Sequence, residues 1–96
     1  MFIYNFIDDC IIYFEFSNKI TQLDFNKYTQ IMNIIYSKKE KVKLIYNLKD
    51  AKISLKLLFT QLNHMKKNEE NTNNYIIKSS IIVNKKIVNL IIYFLF

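Results

Sequence analysis

The sequence predicts an α/β fold, a two-layer sandwich in which a mixed, mostly parallel sheet of about four strands carries its helices on one face. Three observations predict it. First, short runs of β-branched and aromatic residues alternate with longer segments whose apolar residues recur every three or four positions, in the order β-β-α-β-α-β-α. Second, the strand runs are two-sided. One face carries Cys10, Ile12, Phe14 and Phe16 beside Val42, Leu44 and Tyr46; the other carries Tyr13, Glu15, Lys43, Asn47, Lys78 and Ser80. A doubly wound sheet, buried on both faces, would read as unbroken apolar strands, so the helices share one face. Third, 96 residues make one domain spanning 1–96, enough for one two-layer core and too few for a second.

Each element follows from local chemistry. FIYNFI (2–7) and CIIYFEF (10–16) flank Asp8-Asp9 and read as an antiparallel hairpin with the acids in its turn. In SNKITQLDF, Thr21 caps a helix and Asp24, three residues on, closes a capping box, while Ile20 and Phe25 form a hydrophobic staple. The helix runs from Gln22 to Ser37 with Phe25, Tyr28, Ile31, Met32 and Ile35 as its apolar stripe. After the polar SKKEK, VKLIYNL (42–48) is a strand. A second helix spans about Ile53 to Lys67, with Leu55, Leu58, Phe59, Leu62 and Met65 facing inward and Lys66 and Lys67 at the negative end of its dipole. NEENTNN (68–74) reads as a solvated loop, and YIIKSSIIV (75–83) as a strand. Asn84 caps a last helix with Ile87, Leu90, Ile91 and Phe94 inward. Strand-helix-strand units make the neighbouring strands parallel, with right-handed crossovers.

Composition narrows the function. The chain is 51% hydrophobic and 23% charged, an ordinary globular balance. It has no Gly, Pro, Trp or Arg and one Ala, and is dominated by Ile, Asn, Lys, Tyr and Phe, residues with AT-rich codons. The formal charge of +6, carried by Lys alone, therefore reflects codon bias as much as an anionic partner. Without Gly there is no phosphate loop and no dinucleotide fingerprint, because both need backbone that approaches phosphate closely. One cysteine, Cys10, and one histidine, His64, do not build a zinc site, and no cofactor is expected. The lone Cys fits an intracellular, cytoplasmic chain. MFIYNFIDDC has no basic leader, and IVNLIIYFLF is half the length of about 20 apolar residues that a spanning helix needs.

The run EFSNKITQLDFNKYTQIMNIIYSKKEKVKLIYNLKDAKISLKLLFTQL resembles the STAS domain, found in sulfate-transporter tails and anti-sigma-factor antagonists; the resemblance covers roughly residues 10–83. It rests on the Ile20-Thr21 step into the first helix and on a hydrophobic strand that ends in a polar residue and leads through a short loop into the second. It implies a non-catalytic regulatory module. The family's phosphorylatable Ser lies in an Asp-Ser-Ser-Gly-like motif at the start of the second helix, where added phosphate switches partner binding. Here the loop is NLKDAKIS, with Asn47 in place of the usual acid, no Gly, and Ser54 alone just inside the helix. The chain stops at Phe96 where the family has further structure, which implies C-terminal truncation.

The candidate residues follow. A protein partner is expected to dock at Lys49, Asp50, Lys52, Ser54 and Lys56, with Ser54 as a possible phosphosite. The plain readings are that Ser54 bonds the backbone of the first helical turn and that Asp50 is an N-terminal cap or a charge favoured by the helix dipole. The alternative is nucleic-acid binding on the open sheet face, with Tyr13 stacking a base and Lys43 and Lys78 tracking phosphates. A third reading places residues 87–96, beside Lys85 and Lys86, on a membrane surface, against a core helix or homodimer seam. His64 reads as a surface residue, Cys10 as an inert core thiol, and Asp8-Asp9 as a turn rather than an acid/base pair, so no enzyme is expected.

Overall fold

The computed structural model describes residues 1–89, the side chain of Met65 excepted. Its elements are β1 (Phe2–Asp8), β2 (Ile11–Phe16), β3 (Asn18–Lys19), α1 (Gln22–Ser37), β4 (Val42–Leu48), β5 (Ala51–Lys52), α2 (Leu55–Lys67), α3 (Glu69–Tyr75) and β6 (Ile76–Val83), and residues 85–89 are helical. The main sheet is ordered β1-β2-β4-β6. The β1–β2 hairpin is antiparallel, and β4 and β6 add in parallel. The expected α/β sandwich with a mostly parallel four-stranded sheet is therefore present.

The core forms where the sheet's alternation meets the stripe of α1. Period two turns Ile12, Phe14, Phe16, Val42 and Leu44 to one side, and helical spacing turns Phe25, Tyr28, Met32 and Ile35 to meet them; all are buried, Phe14 completely. The Tyr28 ring stands edge-on to Phe14 with centroids 5.2 Å apart, and Phe16 lies 5.8 Å from Phe25. Each such side chain stabilises the fold by about 1.5–3 kcal/mol relative to exposure. On the opposite sheet face Lys43, Lys78 and Ser80 are exposed, and Tyr13, Glu15 and Ile45 are half-buried.

The ends of α1 show how a glycine-free chain makes its turns. The capping box is complete. Asp24 N–H donates to Thr21 Oγ1 at 3.2 Å, and Thr21 N–H donates back to Asp24 Oδ2 at 2.9 Å. Burial pushes the Asp24 carboxyl up, but the Thr21 backbone and hydroxyl bonds and the Met1 ammonium, 3.5 Å away, outweigh it and set the net shift downward. At the other end Lys39 takes the left-handed conformation at φ 53°, a position helices usually give to glycine, and its N–H donates to Tyr36 O. Asn18 at φ 59° does the same between β2 and α1, with the side chain that tolerates this region best after glycine.

Several expectations need correcting. Cys10 is not in the core: it sits exposed in the hairpin turn, where its N–H donates to Asp8 Oδ1 at 2.8 Å and the Asp8 carboxylate raises its thiol pKa. The segment 68–74 is not a loop. Glu69 and Glu70 stand in the first turn of α3, where acids suit the helix dipole, and Thr72 ties back to Asn68 O and to Tyr36 Oη. The second helix starts at Leu55 rather than Ile53, and Leu55, Phe59 and Leu62 of its supposed inward stripe are 46%, 49% and 41% exposed. The two-residue parallel pair β3–β5 was not expected; it is too short to carry a strand pattern. Of the last helix, Asn84 caps as expected, with Ile87 N–H donating to its Oδ1 at 2.9 Å, and Ile87 is buried. Leu90, Ile91 and Phe94, and with them most of the proposed membrane segment 87–96, lie outside the described residues. Among the described residues no helix is long and apolar enough to cross a membrane.

Candidate interaction site at the strand–helix loop

The loop between β4 and α2 is short, polar and held from three sides. Asn47, the last polar residue of β4, accepts the Lys49 N–H on its Oδ1 at 3.0 Å, an Asx turn that starts the loop. Lys49 and Asp50 form the turn, and β5 then pairs with β3. Asn18 N–H donates to Asp50 O at 2.9 Å and Ile20 N–H donates to Lys52 O at 2.8 Å, which ties the loop to the step into α1. From the far side comes Asn84, just past β6. Its Nδ2 donates to the carbonyls of Lys49 at 3.0 Å, Ala51 at 3.1 Å and Leu48 at 3.3 Å, while its Oδ1 caps the helical residues that follow. One side chain thus satisfies a run of loop carbonyls that would otherwise face water or nothing.

The loop ends at Ser54, which stands at the N-cap of α2 rather than inside it. Its Oγ accepts the Leu57 N–H at 3.3 Å and its carbonyl accepts the Leu58 N–H at 3.0 Å. Asp50 does not cap the helix; it is exposed in the turn, four residues earlier. Lys49, Lys52 and Lys56 are exposed as well, and among the described residues none of them forms an ion pair. The structure therefore brings Lys49, Asp50, Lys52, Ser54 and Lys56 to one fixed turn and the first turn of α2.

Beneath α2 the packing opens. A cleft of about 370 Å³ runs between α1, the helix side of β4 and β6, and α2, with Met32, Leu44, Ile81 and Leu62 among its apolar walls. Two pairs of its polar groups are hydrogen-bonded: Tyr28 Oη and Tyr46 Oη lie 2.7 Å apart, and His64 Nε2 is 3.2 Å from Asn68 Nδ2. His64 is thus half-buried in the cleft wall, not a free surface residue. Burial pushes the Tyr28 hydroxyl up to about 12 and raises that of Tyr46 as well, so both phenols are neutral at physiological pH and one donates to the other. Among the described residues there is no group of three or more His, Cys, Asp or Glu that could hold a metal ion.

The open sheet face holds the other expected group. Lys43 and Lys78 are register partners on neighbouring strands, and Tyr13 lies in the next row beside Ile45. The Tyr13 hydroxyl is engaged: it donates to Glu15 Oε1 at 2.8 Å and accepts from Asn47 Nδ2 at 2.9 Å. A carboxylate therefore sits beside the ring that would stack a base. Sequence reasoning placed all of these residues on the correct face but missed the hold of Asn84 on the loop. Nothing in a lone Asn after a strand distinguishes a cap from a cap that also gathers three carbonyls. Compared with protein-family models, with curated proteins and with solved structures, the chain finds no match in any of the three.

Proposed function

We propose that the chain is a small, non-catalytic protein-interaction or regulatory module of STAS type, acting inside the cell, whose protein partner docks on the loop 49–54 and the first turns of α2. One observation carries this reading. The loop backbone is fixed by Asn47, Asn18, Ile20 and Asn84, yet Lys49, Lys52 and Lys56 are exposed without a partner charge among the described residues, and Ser54 is exposed at the cap of α2. A rigid loop that shows its side chains loses little entropy on docking. Beside the lysines, Leu55 is 46% exposed at the start of α2, so the surface offers apolar contact edged with positive charge. An acidic partner surface with an apolar centre matches it. Further support comes from the capped Ile20-Thr21 step into α1 and from the hydrophobic strand β4, whose last polar residue is Asn47 and which leads through the loop 49–54 into α2. Phosphate on Ser54 would stand at a helix N-terminus among Lys49, Lys52 and Lys56 and would cancel much of the positive charge of that surface.

The test compares wild type with the double charge reversal Lys52→Glu/Lys56→Glu as bait in lysate of the native source, with and without nuclease. The expected result is a stoichiometric protein that survives nuclease, is captured by wild type and is lost from the variant, while the variant keeps the wild-type circular dichroism. A second reading, nucleic-acid binding on the open face, is favoured by the adjacency of Lys43 and Lys78. It requires that capture vanish with nuclease and weaken steeply with salt.

A further inference from the structure

The two edges of the main sheet are treated differently. β1 ends in a register shift between Phe6 and Asp8, carries Asp8 and Asp9 at its tip, and has the Lys38 ammonium 5.5 Å over the Phe6 ring; bulges, charges and covering groups of this kind discourage further pairing. β6 has a register shift of its own, at Ile77, but less charge. It closes the sheet at the other end, its six central residues are exposed, and Lys78 is its one charge. Ile77 has no partner in β4, and Ile77 and Ile81 are both 58% exposed. An edge of eight residues that pairs with no strand on its outer side among the described residues is a template for another strand.

The sequence of that edge says which strand fits. IIKSSII, residues 76–82, is a palindrome of character about Ser79: two Ile, then Lys78, Ser79 and Ser80, then two Ile. When such a strand meets its own copy antiparallel, with the two-fold axis at Ser79, Lys78 lies opposite Ser80, Ile77 opposite Ile81, and the polar centre meets a polar centre. Lys78 does not face itself directly; the two Lys78 stand on the diagonal, about 7–8 Å apart, where repulsion is weaker than between residues directly opposite. A two-fold interface has to be self-complementary in this manner, each residue i meeting j while j meets i. We propose that the chain dimerises by antiparallel β6–β6 pairing centred on Ser79, extending two four-stranded sheets into one of eight strands. The loop 49–54 is not part of the paired edge and stays free in each copy.

Sedimentation velocity of the full chain over a concentration series tests this, together with Ser79→Lys and Ser79→Glu, both at a position that lines the cleft on the helix side and is still exposed. The wild type is expected to move reversibly between monomer and dimer. Each variant alone puts like charges opposite each other on the axis and should weaken dimerisation by about tenfold or more, and an equimolar mixture of the two should restore it as a heterodimer. That restoration separates loss of pairing from loss of folding. The proposal is overturned by a wild type that stays monomeric throughout, by a dimer indifferent to the charge at position 79, by a mixture that does not recover, or by open-ended oligomers, which would signal head-to-tail pairing of β1 with β6.

Discussion

α1 and α2 carry similar apolar stripes, and α2 has the more one-sided of the two, yet α1 buries its stripe and α2 leaves much of its own in water. The difference lies in what faces each helix. α1 follows the β1–β2 hairpin and meets a sheet surface of Ile12, Phe14, Phe16 and Leu44, large side chains that interdigitate with Phe25, Tyr28 and Met32. α2 stands over the part of the sheet where β6 turns Ser79 to the helix side, in register with Leu44, and the apolar cleft lies between. A stripe records what a helix is able to bury; the opposing surface decides how much it does bury.

The largest test of this contrast is a pair of truncations. Phe25→Ala on α1 removes a ring that is 7% exposed and packed on Phe16, and should destabilise the fold by about 3–5 kcal/mol, a large share of what a small domain has. Leu62→Ala on α2 removes a side chain that is 41% exposed and should fall at about 1 kcal/mol or less. Urea unfolding of both variants measures the gap. Equal losses would mean that α2 is packed as firmly as α1, and the contrast would be lost.

A smaller effect is expected where α2 joins the sheet. Its start is located by the loop, and the loop by Asn84, so Asn84→Ala should cost about 1–2 kcal/mol through the lost cap and the freed carbonyls of Leu48, Lys49 and Ala51. The same change should speed hydrogen exchange at the amides of Asn18 and Ile20, which donate to Asp50 O and Lys52 O, while amides in the middle of α1 keep their protection. Exchange that rises uniformly along the chain would show instead that Asn84 contributes only global stability.

What could be read in advance divides along the same line. α1 was legible to the residue, from Gln22 to Ser37, because Thr21, Asp24, Ile20 and Phe25 act within a few positions of one another. The strand faces were legible because period two survives in VKLIYNL and IIYFEF. The sheet that these strands imply is present, and the site loop falls between β4 and α2 as expected. What could not be read depends on distant partners. Cys10 continued the alternation of β2 but belongs to the turn, since Asp8 captures its N–H. NEENTNN lacked an apolar stripe and still forms α3, tied to α1 through Tyr36 and Thr72, 36 residues apart. The exposure of Leu55 and Leu62 follows from the surface opposite α2, which no local pattern in α2 encodes.

The smallest effect sharpens the comparison from the side of α1. Its N-terminus is fully provided for by the capping box, but its C-terminus is closed by Lys39 at φ 53°, because the chain has no glycine to put there. A residue with a Cβ is strained in this region by about 1 kcal/mol, since Cβ crowds the following carbonyl oxygen. Lys39→Gly removes the Cβ while keeping the N–H that donates to Tyr36 O at 3.1 Å. It also gives the unfolded chain more freedom, which works in the opposite direction. The relief is the larger of the two, so the variant should be more stable by a few tenths to about 1 kcal/mol, read as an increase in Tm. Lys39→Ala separates the causes: it loses the same charge and keeps the Cβ, and should leave Tm close to wild type. A gain in Lys39→Ala equal to that in Lys39→Gly would assign the effect to the crowded charges of Lys38, Lys39 and Lys41 rather than to the backbone of the turn.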